Sequence, residues 1–279
     1  MPKTRKLPIG IQSFERLRKE NCVYVDKTEY IYMLTKNVSP YFLSRPRRFG
    51  KSLLLSTMKA YFEGKKELFK DLKIEMLSER DDDAWLKYPV LYIDLNNKDY
   101  TRENALDEIL DKHLKEWEKI YGRDETENTL DGRFSDVIKA AYNHNEIGVV
   151  ILVDEYDKPL LDVLGDEKLT EHNKALFKGF FSNLKSHDEY LKFVFITGVT
   201  RFSKVSIFSD LNQLCDISQN EDYACICGIT ERELSDNFMP EIDMFASKLC
   251  VSRNECLYKL KKMYDGYHFE YGSEDTYNP

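Results

Sequence analysis

No stretch of this 279-residue chain is apolar for long enough to cross a bilayer, since its longest hydrophobic runs are strand-sized. A membrane partner is therefore not expected. The start, MPKTRKLPIG, is charged but has no apolar core behind it, so a secretory signal is missing as well, and the expected location is cytoplasmic. Positive charge is also in deficit: 41 Lys and Arg against 49 Asp and Glu leave a net charge of −8. That argues against binding nucleic acid by bulk electrostatics, although residues 3–6 and 45–48 form local basic clusters. Cysteine is sparse and scattered, six in all, as expected of reduced thiols, and only Cys225 and Cys227 are close. On an expected strand their C-x-C spacing would put both thiols on one face. Buried thiols are the simpler expectation, and no structural zinc is predicted. There is no G-x-S-x-G and no flanked nucleophile to suggest a hydrolase triad. Internal repeats and low-complexity segments are absent too. What remains, 42% hydrophobic, can bury one large core, or one core with a small appended domain.

Against these absences stands the run Phe42 to Ser52, FLSRPRRFGKS. It ends in Gly50-Lys51-Ser52, straight after a short apolar segment and straight before a helical one. That is where a P-loop keeps its phosphate-binding lysine, but the G-x-x-x-x-G-K-[ST] pattern asks for glycine where this chain has Arg45. Pro46, Arg47, Arg48 and Phe49 fill the loop. A loop opening a helix presents unpaired N–H groups and the positive end of the macrodipole to an anion. Gly50 lets the backbone approach a phosphate, Lys51 would reach the β and γ oxygens, and the Ser52 hydroxyl would ligate Mg²⁺. Residues 45–53, Arg45 to Leu53, are thus the expected phosphate-binding segment. Taken alone, GKS is better read as a chance tripeptide at a helix start, and a second site is needed to overturn that.

A second site supports the first. Val149 to Glu155, VVILVDE, is a continuous apolar run ended by acids, the pattern of a buried parallel strand with carboxylates at its C-terminal end. Ligands of open α/β sheets bind at that end. Asp154 would hold Mg²⁺, and Glu155 would act as general base on the attacking water. The competing reading is that both acids merely end a strand.

Strand and helix signals alternate along the chain. A capping box is expected at Asp26 to Glu29, opening a helix through Leu34, and strands are expected at Tyr41 to Leu43, Val90 to Leu95, Phe193 to Val199 and Ala224 to Ile229. A long helix is expected over roughly Arg102 to Tyr121, and Thr230 with Glu233 makes a further capping box. The predicted fold is α/β: a P-loop NTPase with a mostly parallel sheet, helices on both faces and a small C-terminal helical lid. The expected division is a core over 1–240 and a lid over 241–279. VLYIDL intervenes between the two site strands in sequence. ATPases with a catalytic Glu insert a strand between them in space, but sequence order alone does not fix adjacency.

At the tip of FVFITGV, Thr197 and Thr200 could bond the γ-phosphate or the attacking water, and Arg201 could supply transition-state charge. Ordinary strand-end bonding by the threonines and a solvated Arg201 is an equal alternative. Asp94 could support the metal shell, though a plain strand-end acid is the simpler reading. Asp157 is taken as a helix cap and Lys158 as a surface charge. The aromatic segment YDGYHF, Tyr264 to Phe269, is read as a packing corner rather than a base-stacking platform.

Several strings together carry a more specific signal: YVDKT (Tyr24 to Thr28), FLSRPRRFGKSLLLSTMKAYFEG (Phe42 to Gly64), VDEYDKPLLD (Val153 to Asp162), FVFITGVTRFSKVSIFSDLN (Phe193 to Asn212), ICGIT (Ile226 to Thr230) and YDGYHF. They closely resemble the AAA-ATPase-like family, found largely in bacteria, in which the arginine-rich P-loop is the norm. The resemblance implies an ATPase core of the extended AAA type, with ATP and Mg²⁺ as cofactors. In that family the core is commonly joined to a PD-(D/E)XK nuclease-like domain, through which nucleic acid could become a partner. This chain ends at Tyr277-Asn278-Pro279, about where that domain would begin, so nuclease activity is not carried over. Three readings stay open: a Mg²⁺-dependent ATPase, a nucleotide switch that hydrolyses little without a partner domain or neighbouring subunit, and a nucleic-acid-binding protein using the RPRR loop.

Overall fold

A computed structural model describes residues 6–37, 40–200, 214–264, 266–270 and 274–279. Its centre is a parallel sheet of five strands, β1 (Pro40–Ser44), β2 (Val90–Asp94), β3 (Val149–Asp154), β4 (Leu191–Gly198) and β5 (Cys215–Asp216), in the order β2-β3-β4-β1-β5. The expected parallel α/β architecture is present. A strand does stand between β1 and β3, and it is β4; VLYIDL forms β2, at the far edge.

Side chains alternate across a strand, so the unbroken apolar runs imply that both faces are covered. On one face Leu91, Ile93, Ile151, Val153, Val194 and Ile196 pack under α5 (Ala105–Tyr121), α6 (Leu130–Asn145) and α8 (Glu167–Ser186). On the other, Leu43, Val150, Leu152, Phe193 and Phe195 meet α3 (Lys51–Phe62) together with α1 (Phe14–Lys19), α2 (Thr28–Thr35) and α4 (Lys73–Leu77). The short α7 (Lys158–Leu161) follows β3, with Pro159 in its first turn, where a missing N–H costs nothing. Gly64, with φ +70°, ends α3, and its N–H donates to Tyr61 O.

The Thr230 and Glu233 capping box forms as expected and opens α9 (Glu231–Lys248). This helix carries Pro240 in its interior and runs through position 241; α10 (Arg253–Tyr264) packs back on it around Ile242, Ala246 and Cys256. Two expectations are corrected. Asp26 is not the cap of α2: Lys27 occupies the cap position, while Asp26 accepts from the N–H and hydroxyl of Thr28 and from the N–H of Lys73. No strand spans Ala224 to Ile229 either. A 3-10 turn at Glu221–Tyr223 and irregular backbone precede the two-residue β6 (Ile229–Thr230), which pairs antiparallel with β7 (Thr276–Tyr277) in a separate ribbon. Cys225 and Cys227 therefore do not share a strand face. Among the described residues no helix is long and apolar enough to cross a membrane.

Candidate functional site

Register decides which side chains meet at the C-terminal edge of the sheet. Asp94 pairs with Asp154, Val153 with Ile196, and Leu43 with Thr197, so Asp94, Asp154 and Thr197 stand in one row beside the end of β1. Alternation then aims them. Counting by twos from Val150 and Leu152, or from Phe193 and Phe195, brings Asp154 and Thr197 onto the face packed by α3. That helix begins with Lys51 and Ser52.

The loop between β1 and α3 takes an unusual path. Arg48 has φ +68° and Gly50 φ +91°, both in the left-handed region. A Cβ on Gly50 would meet nothing within 4 Å, so glycine is needed here for its conformation rather than for room. Leu54 N–H is the first to donate back, to Gly50 O. Among the described residues, the backbone N–H groups of 47–53 find no acceptor, and they are clustered at the positive end of a twelve-residue helix. Free amides gathered at a helix start in this way present positive partial charge to the space over the loop.

Lys51 is nearly buried and bends back over this loop. Its Nζ donates to the carbonyls of Arg45 (3.0 Å) and Pro46 (3.2 Å) and lies 3.8 Å from Glu155 Oε1. Arg45 turns the other way. Its guanidinium, 1% exposed, donates to the carbonyls of Ser44, Ser218, Tyr223 and Ala224 and lies 4.0 Å from the centre of the Phe269 ring. Phe49 is buried beside it, edge-on to Tyr267 (4.7 Å) and Phe269 (5.3 Å), and its carbonyl accepts from Gly228 N–H. Two loop side chains therefore root the loop in the later chain. Arg47 and Arg48 are exposed: the charge of Arg47 acts on Glu155, and Arg48 lines a polar cleft with Tyr264 and Asn278.

Asp154 is 1% exposed and takes hydrogen bonds from Thr197 Oγ1 (2.9 Å), Asn96 Nδ2 (3.3 Å) and Tyr92 OH (3.4 Å). Burial pushes its carboxyl above the usual range, and hydrogen bonds from Ser52 and Thr197 oppose that rise. The Ser52 hydroxyl thus faces the Asp154 carboxylate across the start of α3. Glu155 is also pushed up, first by burial and then by Asp154 and Asp157, while Lys51 and Arg47 pull it down.

The row gathers Lys51, Ser52, Asp154, Glu155 and Thr197 in one place. Pro46 contributes a carbonyl to Lys51, and Leu53 lines an apolar cavity beside the loop. Asp94 stands in the row beside Asp154, on which its charge acts, but its carboxylate is taken up by Asn96 N–H and Asn97 Nδ2. Arg201 lies outside the described residues. Thr200 gives both its N–H and its hydroxyl to Asp157, which is completely buried and makes no side-chain cap to α7. The expectation of a simple cap is corrected, and so is the surface-charge reading of Lys158, which is partly covered and donates to Lys98 O and Asp162. Tyr92 and Asn96 escaped the sequence reading. Their signal was there: Tyr92 and Asn96 each lie two residues from Asp94, on the same parity as the site face.

A protein of Azotobacter chroococcum mcd 1, described as "Uncharacterized protein in vnfD 5'region", is 36% identical to this chain over 279 residues. The match covers 99% of the chain and 50% of that protein, so the chain spans about half the length of the curated relative it matches. No solved structure matches. Residues 8–208, which include the loop, both carboxylates and Thr197, match the family described as Predicted AAA-ATPase, and the chain belongs to this AAA-ATPase-like family.

Proposed function

We propose that the chain is a Mg²⁺-dependent ATP-binding module that hydrolyses ATP at the edge formed by β1, β3 and β4. The observation that carries this reading is the convergence of an unpaired N–H cradle, Lys51 and Ser52 with the buried carboxylate of Asp154 and the partly buried one of Glu155. The amides of 47–53 and Lys51 would take the phosphates. Ser52 and Asp154 offer hard oxygen donors that face each other, which fits Mg²⁺, and the ion would neutralise charge on the phosphate oxygens. Glu155 would draw a proton from the attacking water, and burial, which pushes its carboxyl above the usual range, strengthens it as a base. Thr197 holds Asp154 in place. A cavity of about 150 Å³ beside the loop, lined by Tyr24, Val25, Leu53, Ile226, Gly228 and Phe238, offers an apolar seat for the base.

Lys51→Ala should abolish Mg-ATP binding. Glu155→Gln should keep binding while turnover falls about 100-fold or more. Nucleotide-binding fluorescence and phosphate release measure the two, and equal turnover in Glu155→Gln and the parent would sink the base role.

The Lys51 to Glu155 contact favours a second reading, a switch whose base is held by the lysine until a partner acts. Single-turnover hydrolysis by the isolated chain separates the two, since fast turnover contradicts the switch.

A further inference from the structure

The backbone of Glu155 is in the left-handed region, φ +53°, which is uncommon for a residue with a Cβ and has to be held there by its surroundings or accepted at a cost. The constraints come from β4. The N–H of Glu155 donates to Thr197 Oγ1 (3.3 Å) and the N–H of Tyr156 to Thr197 O (2.9 Å), so one β4 residue clips the chain on both sides of the Glu155 Cα. Two side chains then fasten the next turn to the tip of the same strand. Asp157 accepts from the N–H of Val199 (3.0 Å), the N–H of Thr200 (2.6 Å) and the hydroxyl of Thr200 (2.8 Å), and Tyr156 OH donates to Thr200 O (3.2 Å). The Tyr156 ring fills the space over Gly198, where a Cβ would come within 2.5 Å of it, and stands edge-on to Phe42 at 5.4 Å.

Resting on the reading of Glu155 as the base, we propose that Tyr156 and Asp157 are positioning residues that hold Glu155 in its left-handed conformation and so aim its carboxylate into the phosphate site. A buried acid that only capped α7 would bond that helix's own first amides. Asp157 instead turns its side chain to Val199 and Thr200, just past the end of β4. The base is thereby located by the strand that carries Thr197, and Glu155 and Thr197 keep a fixed relation whatever the exposed loop arginines do.

The test compares Asp157→Asn, Tyr156→Phe and Thr200→Val in the full chain, each checked for a parent-like melting transition. Each is measured for Mg-ATP affinity with a fluorescent ATP analogue and for kcat by phosphate release. Displacing a reacting group by about 1 Å costs up to about 100-fold, so kcat should fall roughly 10- to 100-fold in Asp157→Asn, and by less in the other two, with affinity within about twofold of the parent. In a Glu155→Gln background the same substitutions should lower the residual single-turnover rate no further, because they act through Glu155. Parent-like kcat in the folded variants, or an equal fall in the Glu155→Gln background, overturns the inference while leaving the base role standing. If Asp157→Asn does not fold, Tyr156→Phe and Thr200→Val decide alone by the same criteria. Parent-like kcat in Glu155→Gln itself overturns the base assignment, and this inference with it.

Discussion

Arg45 occupies the place where the common loop pattern has glycine, and its guanidinium satisfies carbonyls of Ser218, Tyr223 and Ala224 that come from far along the chain. Restoring the pattern with Arg45→Gly would strand those buried carbonyls and open a void. Hydrogen bonds to charged groups contribute about 1.5–3 kcal/mol each, not additively. A loss of about 3 kcal/mol or more is expected, read as a fall in Tm of roughly 6 °C or more. Calorimetry on the nucleotide-free protein checks it, and an unchanged Tm would contradict the anchoring role. Of this site, Lys51, Ser52, Asp154 and Glu155 were legible because local pattern specifies them. The anchoring by Arg45 was not, since its acceptors lie more than 170 residues away in sequence.

The buried carboxylate of Asp154 gives a pH signature. The folded-state pKa of Asp154 is raised, chiefly by burial, so its contribution to stability is complete below the unfolded carboxylate range and is lost as pH rises through the folded value. At neutral pH the ionised group therefore costs stability. Asp154→Asn should match or exceed the parent's Tm at pH 7, and that advantage should shrink as pH is lowered toward 5. Thermal melts of both proteins without nucleotide, at the two pH values, test the sign.

Among the elements, α5 and α6 are fastened by a buried ion cluster. Arg133 donates to both oxygens of Glu118 (2.7 and 2.9 Å) and to Asp111 (2.7 Å). Removing the cation alone leaves Glu118 buried and unpaired, which costs about 3–5 kcal/mol. Arg133→Ala should lower Tm by roughly 6 °C or more without changing Mg-ATP affinity at 20 °C, because these helices lie on the sheet face opposite α3. Weakened affinity in the folded variant would show that the two faces are coupled. The long strands and helices were readable because each carries a full hydrophobic period. β5 was not: two residues, Cys215 and Asp216, have no period, and the strand exists only because β1 offers its edge. The apolar residues of ICGIT suggested a strand, but Ile226 and Cys227 are buried by packing against the α3 side of the core, with no ladder to join.

At the scale of the molecule, bound nucleotide should be visible as stability. A site filled at 100 times Kd adds about 2.7 kcal/mol, or a Tm rise of roughly 5–11 °C. Mg-ATP should shift the parent by this amount and leave Lys51→Ala unmoved, and a parent with no shift would remove both nucleotide readings. The parallel architecture followed from alternating signals, whereas strand order did not, because sequence gives succession and the sheet is closed by crossovers. Inserting β4 between β1 and β3 puts Thr197 between the cradle and the carboxylates.

That insertion makes nucleotide binding a gauge of folding fidelity. A one-residue slip of β4 would turn Thr197 toward the α6 side and drive Ile196 under α3. Such a chain would keep its strands, helices and circular dichroism, yet Asp154 and the Glu155 turn would both lose their shared anchor. In a refolded preparation, the fraction that binds Mg-ATP would therefore count molecules with the sheet in register, a quantity that secondary-structure content does not report.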